Sequence, residues 1–139
     1  MLGFQAKGAC PIVKGKLVKK PKTIATAIKI GDPASWREAV AARDESHGLI
    51  DAVSDAEILA AYKFLAQKEG VFCEPASAAS VAGLFLLAKR NFFRAARRLT
   101  VVCTLTGHGL KDPQIAISNI QNPPIVEPTL DAVRAAAGL

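Results

Sequence analysis

A chain of 139 residues, half of them apolar, has the size of one domain and enough apolar surface for a core. Its formal net charge of +6 favours polyanions in principle, but only 6% of the residues are aromatic and no known nucleic-acid motif is present, so nucleic acid is not an expected partner. The longest apolar stretch, around Val81 to Ala88, is too short to span a bilayer. Met1 leads straight into Leu-Gly-Phe-Gln without a basic region and an apolar run, so no signal peptide and no membrane partner are expected.

Residues 2–6 fit a short strand bounded by Gly3 and Gly8. From Cys10 to Pro33 the chain reads as a long connection rich in proline, glycine and lysine, with Thr23 to Ile30 suited to a buried turn or short helix. So long a structureless connection is uncommon in a complete domain and hints at a larger one. Ser35 is placed to cap a helix from Trp36 to about Glu45, with Trp36, Ala39, Val40 and Arg43 on one face and Gly48 at its end. Leu49 to Val53 is a strand or extended link. Ser54-x-x-Glu57 is a capping box for a helix to about Lys68, striped by Ile58, Leu59, Tyr62, Leu65 and Ala66 and stopped by Gly70.

Pro75 suits the first turn of the next helix, which runs to about Arg90 and carries no polar face, so it should be buried on most sides. Leu99 to Leu105 is a β-branched run without alternation, as expected of a central parallel strand covered on both faces. Asp112-Pro113 starts a short helix through Ile117, Pro123-Pro124 breaks the chain, and Pro128 to Ala137 is a last helix. The implied fold class is α/β with a parallel sheet.

Basic residues gather at Lys7, Lys14, Lys16, Lys19, Lys20 and Lys22 and again at Lys89, Arg90, Arg94, Arg97 and Arg98, most plainly as solvated faces. Cys10, Cys73 and Cys103 form no CxxC pair and the two histidines lack metal-ligand spacing, so free thiols in a reducing cytosol and no metal are expected.

The chemistry-bearing signal is the 99–105 run followed by Thr106-Gly107-His108-Gly109. In open α/β sheets ligands gather beyond the carboxyl ends of strands, and two glycines there allow close backbone approach. A tight turn and a ligand-contacting loop both satisfy this pattern.

Four segments occur in order: Gly3-Phe4-Gln5-Ala6-Lys7-Gly8-Ala9, the stretch Thr23 to Trp36, Glu69-Gly70-Val71-Phe72-Cys73-Glu74-Pro75-Ala76-Ser77-Ala78-Ala79-Ser80, and Thr104 to Pro113. Together they resemble the C-terminal portion of the short bacterial threonine synthases, over essentially the whole chain and least diagnostically after about Asn119. The resemblance implies part of the large domain, over 1–139, of a fold-type-II pyridoxal-phosphate enzyme. It implies a partial three-layer parallel-sheet domain, and a reaction of O-phospho-L-homoserine with water to give L-threonine and phosphate. It also implies that the Thr106 hydroxyl faces the pyridine nitrogen, that Gly107 and Gly109 let the loop approach the ring, and that Gln5 and Ala6 line the cofactor wall. Glu74 would sit at the closed end of the pocket, or serve only as a helix N-terminal carboxylate; His108 would shape the loop rather than act as a base.

The departures matter as much. None of the lysines sits in the family's context for the residue that bonds the cofactor, and no glycine-rich loop for the cofactor phosphate is present. The expected whole is therefore this segment joined to an N-terminal portion, with the segment alone inactive, not binding the cofactor tightly, and prone to self-association. The competing expectation is a non-catalytic interaction module that reuses the fold.

Overall fold

A computed structural model describes residues 1–94, 98–119 and 124–139. Arg97 of the second basic group and Pro123 of the Pro-Pro break lie outside the described residues. Leu2–Ala6 (β1) and Leu49–Val53 (β2) pair in parallel, with Leu2 opposite Leu49 and Ala6 opposite Val53. The connection between them carries a short helix, Pro11–Lys14 (α1), a 3-10 turn at Thr26–Ile28 and a longer helix, Trp36–Glu45 (α2). The rest of that connection is stitched down by backbone bonds, from the Lys22 amide to the Gly8 carbonyl (3.0 Å) and from the Val18 amide to the Gly31 carbonyl (3.0 Å). Asp55 holds its later part, accepting from the Thr23 hydroxyl (2.5 Å) and the Ile24 amide (3.2 Å).

Asp55–Lys68 (α3) begins as its sequence requires. The Ser54 hydroxyl accepts from the Glu57 amide at 3.3 Å, and the Glu57 carboxylate accepts from the Ser54 amide at 2.7 Å. That amide first, and the Ser54 hydroxyl donating to the same carboxylate at 2.7 Å second, hold the Glu57 carboxyl below the usual carboxylate range. A folded-state pKa that is depressed contributes stability above the unfolded value and loses it as pH falls through the folded one. Ser54→Ala is therefore expected to cost about 1 kcal/mol at neutral pH. Its deficit against the parent chain should shrink as pH falls below the usual glutamate range and through the lowered folded-state value, where the carboxylate is lost in both. Urea midpoints across that range check both statements, and a constant deficit would contradict the second.

Gly70, at φ +66°, ends α3 as expected. Two other punctuation marks act differently. Ser35 stands at the cap of α2, but its side chain makes no capping bond. The left-handed residue after α2 is His47 (φ 48°), one position before Gly48.

Pro75–Lys89 (α4) packs on α3 and across β1 and β2. Its small residues let it settle closely. A Cβ at Gly83 would lie 2.2 Å from the Phe4 ring, so the helix meets the strand there without a side chain between them. Ile58, Ala61, Val53, Ala6 and Ala78 are completely buried in the shared core, which also takes in Leu65, Tyr62, Cys73 and Ala82. The expected burial of α4 on most sides holds.

The sheet is smaller than the sequence implies. Residues 99–105 join no ladder among the described residues, and they form neither a strand nor the centre of the sheet. Leu99 and Val101 are exposed and Val102 is 85% exposed, so both faces are far from covered. β-branched composition favours an extended backbone, but a strand also needs a neighbour, and none is described here. Beyond it come a 3-10 turn at Gly109–Lys111, Pro113–Asn119 (α5) and Leu130–Ala137 (α6), the last capped by the Thr129 hydroxyl. Among the described residues no helix is long and apolar enough to cross a membrane.

Candidate functional site

The Thr106–Gly109 loop is latched onto the segment that enters α4. The Glu74 amide donates to the Gly107 carbonyl (2.9 Å) and the Gly109 amide to the Phe72 carbonyl (3.1 Å), flanking a bridge between Cys73 and His108. Both glycines are already demanded by this contact. A Cβ at Gly107 would fall 2.1 Å from a Glu74 carboxylate oxygen, and one at Gly109 would fall 2.4 Å from the Phe72 ring.

Ser77, in the first turn of α4, is the hub of the latch. Its buried hydroxyl accepts from the Gly107 amide (2.8 Å) and lies 3.2 Å from the Thr106 hydroxyl. Sequence reading quoted Ser77 within a longer run and gave it no role. The available signal was a polar residue in the first turn of an otherwise small and apolar helix. Ser77→Ala leaves the buried Gly107 amide unpaired, which is expected to cost about 1–3 kcal/mol. Chemical denaturation together with amide exchange at Gly107 measures this. An unchanged midpoint with an equally slow amide would show that the hydroxyl is not the latch.

Glu74 is 4% exposed and occupies the N-cap position of α4 without capping it by its side chain. Its carboxylate meets the Lys111 ammonium at 3.2 Å, and that lysine is largely exposed. His108 serves the turn: its Nδ1 accepts from the Leu110 amide (3.2 Å) and its ring stands edge-on to Phe72.

The remaining candidates sit at the carboxyl end of β1. The Gln5 side-chain oxygen accepts from the Ile12 amide (3.0 Å) and the Val13 amide (3.2 Å), bonding to the start of α1. Ala6 is fully buried in the cluster that holds Cys73 and Ala78. Thus Thr106, Gly107, Glu74 and Ser77 are brought together, while Gln5 is engaged with α1. The three cysteines are free, and burial pushes the Cys73 and Cys103 thiols up, which makes them poor nucleophiles. No cluster that could hold a metal ion occurs among the described residues.

A neutral hydroxyl at a loop tip, exposed and fixed from behind by a second hydroxyl, is a donor set suited to a heterocyclic nitrogen. The parallel pair with its packed helices belongs to the α/β class expected. Residues 1–107 match the family model described as "Pyridoxal-phosphate dependent enzyme", and the chain belongs to that family. Among curated proteins it is similar to the threonine synthase of Halalkalibacterium halodurans, 56% identical over 92% of this chain and 36% of that protein. It is likewise similar to the threonine synthase of Synechocystis sp., 52% identical over 99% of this chain and 36% of that protein. The chain thus spans about a third of the length of these relatives. Among solved structures, a threonine deaminase from T.th. shares its fold (TM-score 0.52, 22% identity), covering 64% of this chain and 32% of that one.

The exposed Thr106 hydroxyl would suit the ring nitrogen of pyridoxal phosphate, while the space beside Gly107 is taken by Glu74. A phosphate cradle and a cofactor-bonding lysine are not among the features the sequence offers.

Proposed function

We propose that residues 1–139 form the C-terminal part of the large domain of a threonine synthase, which turns O-phospho-L-homoserine and water into L-threonine and phosphate. The observation that carries this reading is the latched Thr106–Gly107 tip, in a chain more than half identical to threonine synthases over nearly its full length. Bound in the complete enzyme, pyridoxal phosphate supplies an electron sink for bond-breaking at the substrate's β and γ carbons. Thr106 offers its hydroxyl to the pyridine nitrogen. Being neutral, it cannot hold that nitrogen protonated as a carboxylate would, so it keeps the sink mild. Ser77 fixes the tip from behind, and Gly107 leaves room for the Glu74 carboxylate against it. Glu74 closes the pocket floor beside Lys111, while Gln5 forms the wall at the end of β1 with Ala6 buried behind it.

The partner is an N-terminal portion that brings the cofactor-bonding lysine and the phosphate-binding groups. Without it the segment is inactive and tends to self-associate through exposed Leu99, Val101 and Val102. The setting is the cytoplasm. Co-expressing the chain with the N-terminal two-thirds of the Halalkalibacterium halodurans relative tests the proposal. Threonine and phosphate should form in equal amounts from O-phospho-L-homoserine with both chains present, and with neither chain alone. Threonine formation by the isolated chain at an ordinary enzymatic rate, or none by a stable pair, would contradict it.

A further inference from the structure

The stretch Thr23 to Trp36 is one of the four segments that carry the family resemblance, and the proposed pocket gives it no part. Its 3-10 turn, Thr26–Ile28, stands on a fixed base. Ala25 is completely buried, and its amide donates to the Thr23 hydroxyl oxygen (3.1 Å). Thr23 in turn is held by Asp55 at the start of α3, and the 3-10 turn itself packs against α4. From this base the exposed Thr26 hydroxyl donates to the Asp112 carboxylate at 2.9 Å, across 86 positions of sequence.

Asp112 closes the second 3-10 turn, the one that follows the Thr106–Gly109 loop. Its amide donates to the Gly109 carbonyl (3.1 Å) and the Lys111 amide to the His108 carbonyl (3.1 Å), which binds residues 108–112 into one unit. Two adjacent side chains of opposite charge anchor that unit in two places, Lys111 on Glu74 and Asp112 on Thr26. Ser77 holds the Thr106–Gly107 end of the loop, and this pair of anchors holds the other end. Among the described residues, Thr26 to Asp112 is the one hydrogen bond that ties residues 110–119 to the connection between β1 and β2.

We propose that Thr26 is a positioning residue of the enzyme: through Asp112 it holds the far end of the loop that presents the Thr106 hydroxyl, and so fixes where that hydroxyl points. The inference rests on the proposed function and adds to it a residue that acts through another. A hydroxyl bond to a carboxylate is charge-assisted and stronger than one between neutral groups. Both partners sit on hydrogen-bonded turns, so little freedom is lost in forming it. Water competes at this exposed site, which keeps the expected effect below that of removing the Thr106 hydroxyl itself. The base under Thr26 has its own bonds to Asp55 and its own packing on α4, so loss of the Thr26 hydroxyl frees the loop without unfolding the base.

Thr26→Val keeps the side-chain shape and removes the donor, whereas Thr26→Ser keeps the donor. In the full chain by itself, the amides of Gly107, Gly109 and Asp112 should exchange roughly threefold to tenfold faster in Thr26→Val. The amides of α3 and α4 should be unchanged, and Thr26→Ser should restore the parent rates. With the N-terminal two-thirds of the Halalkalibacterium halodurans relative present, Thr26→Val should lower kcat by a similar factor and leave KM nearly as it was. It should also move the absorbance of the bound cofactor in the direction that Thr106→Val moves it. Equally faster exchange throughout α3 and α4 would make Thr26 a support of the whole fold and overturn the proposal. So would loop amides that exchange as in the parent, or a Thr26→Ser chain as impaired as Thr26→Val. Parent kcat and absorbance in a Thr26→Val pair with a loosened loop would show that the hold does not reach Thr106, and the proposal would fall while the function stands. An inactive pair built from the parent chain would overturn the proposed function, and the loop amides would still decide whether Thr26 holds the loop.

Discussion

Thr106→Val, placed in an enzyme completed with an N-terminal portion, is expected to lower kcat/KM roughly tenfold to a hundredfold with the fold intact. Valine and threonine have similar shapes, so the packing around the loop changes little. The lost group is the hydroxyl, which in the proposed pocket faces a buried acceptor. Leaving such an acceptor unpaired costs on the order of 1–3 kcal/mol, and that range, if felt in the transition state, gives the stated loss. Part of the effect has a second origin, because Thr106 also shares a contact with Ser77 at 3.2 Å. The control is His108→Ala, which removes a turn cap and an edge-on contact with Phe72 but leaves Thr106 and Ser77 in place. It should be much milder. Steady-state rates and the absorbance of the bound cofactor should be read for both. A fully active Thr106→Val with an unchanged spectrum, or a dead His108→Ala with cofactor bound, would reverse the ranking.

Ile58→Ala should produce the largest loss of stability, about 2–5 kcal/mol. Ile58 is completely buried one turn into α3, in the core that this helix shares with α4. Truncation removes three carbons from a core rich in alanine. Ala61, Ala78, Ala79 and Ala82 have no side chain long enough to collapse into the space. Whole domains of this size are stable by only about 5–15 kcal/mol, so the urea midpoint should move far. Leu110→Ala, at a position 71% exposed, should stay within about 0.5 kcal/mol. A deficit below about 1 kcal/mol for Ile58→Ala would mean that the α3–α4 core is not the main support of the fold.

What the sequence revealed and what it hid have physical reasons. The Ser54–Glu57 box and the Gly70 stop were legible because both ends of each interaction lie within one helical turn. The parallel pairing of residues 2–6 with 49–53 was partly legible, since two short apolar runs separated by helices imply a crossover. Residues 99–105 misled, because composition reports a preference for extended backbone and is silent about whether a neighbour is present. Ser35 misled for a similar reason: a good capping residue type does not place the hydroxyl on an amide. Within the site, Thr106, Gly107 and Glu74 came from family resemblance, and the structure does bring them together. Ser77 stayed hidden because its partner, the Gly107 amide, lies 30 positions away. The glycines were read as room for a ligand, whereas the Glu74 and Phe72 side chains already fill the space a Cβ would need.

The central claim is that this chain provides one wall of a cofactor pocket whose other wall lies on a partner. Gel filtration after incubation with pyridoxal phosphate tests it most directly, with visible absorbance followed across the protein peak. The account predicts a colourless peak for the isolated chain and a yellow peak, with one cofactor per pair, once the N-terminal two-thirds of the Halalkalibacterium halodurans relative is present. A yellow peak of equal intensity from that N-terminal portion alone, unchanged in colour and stoichiometry when this chain joins it, would contradict the claim.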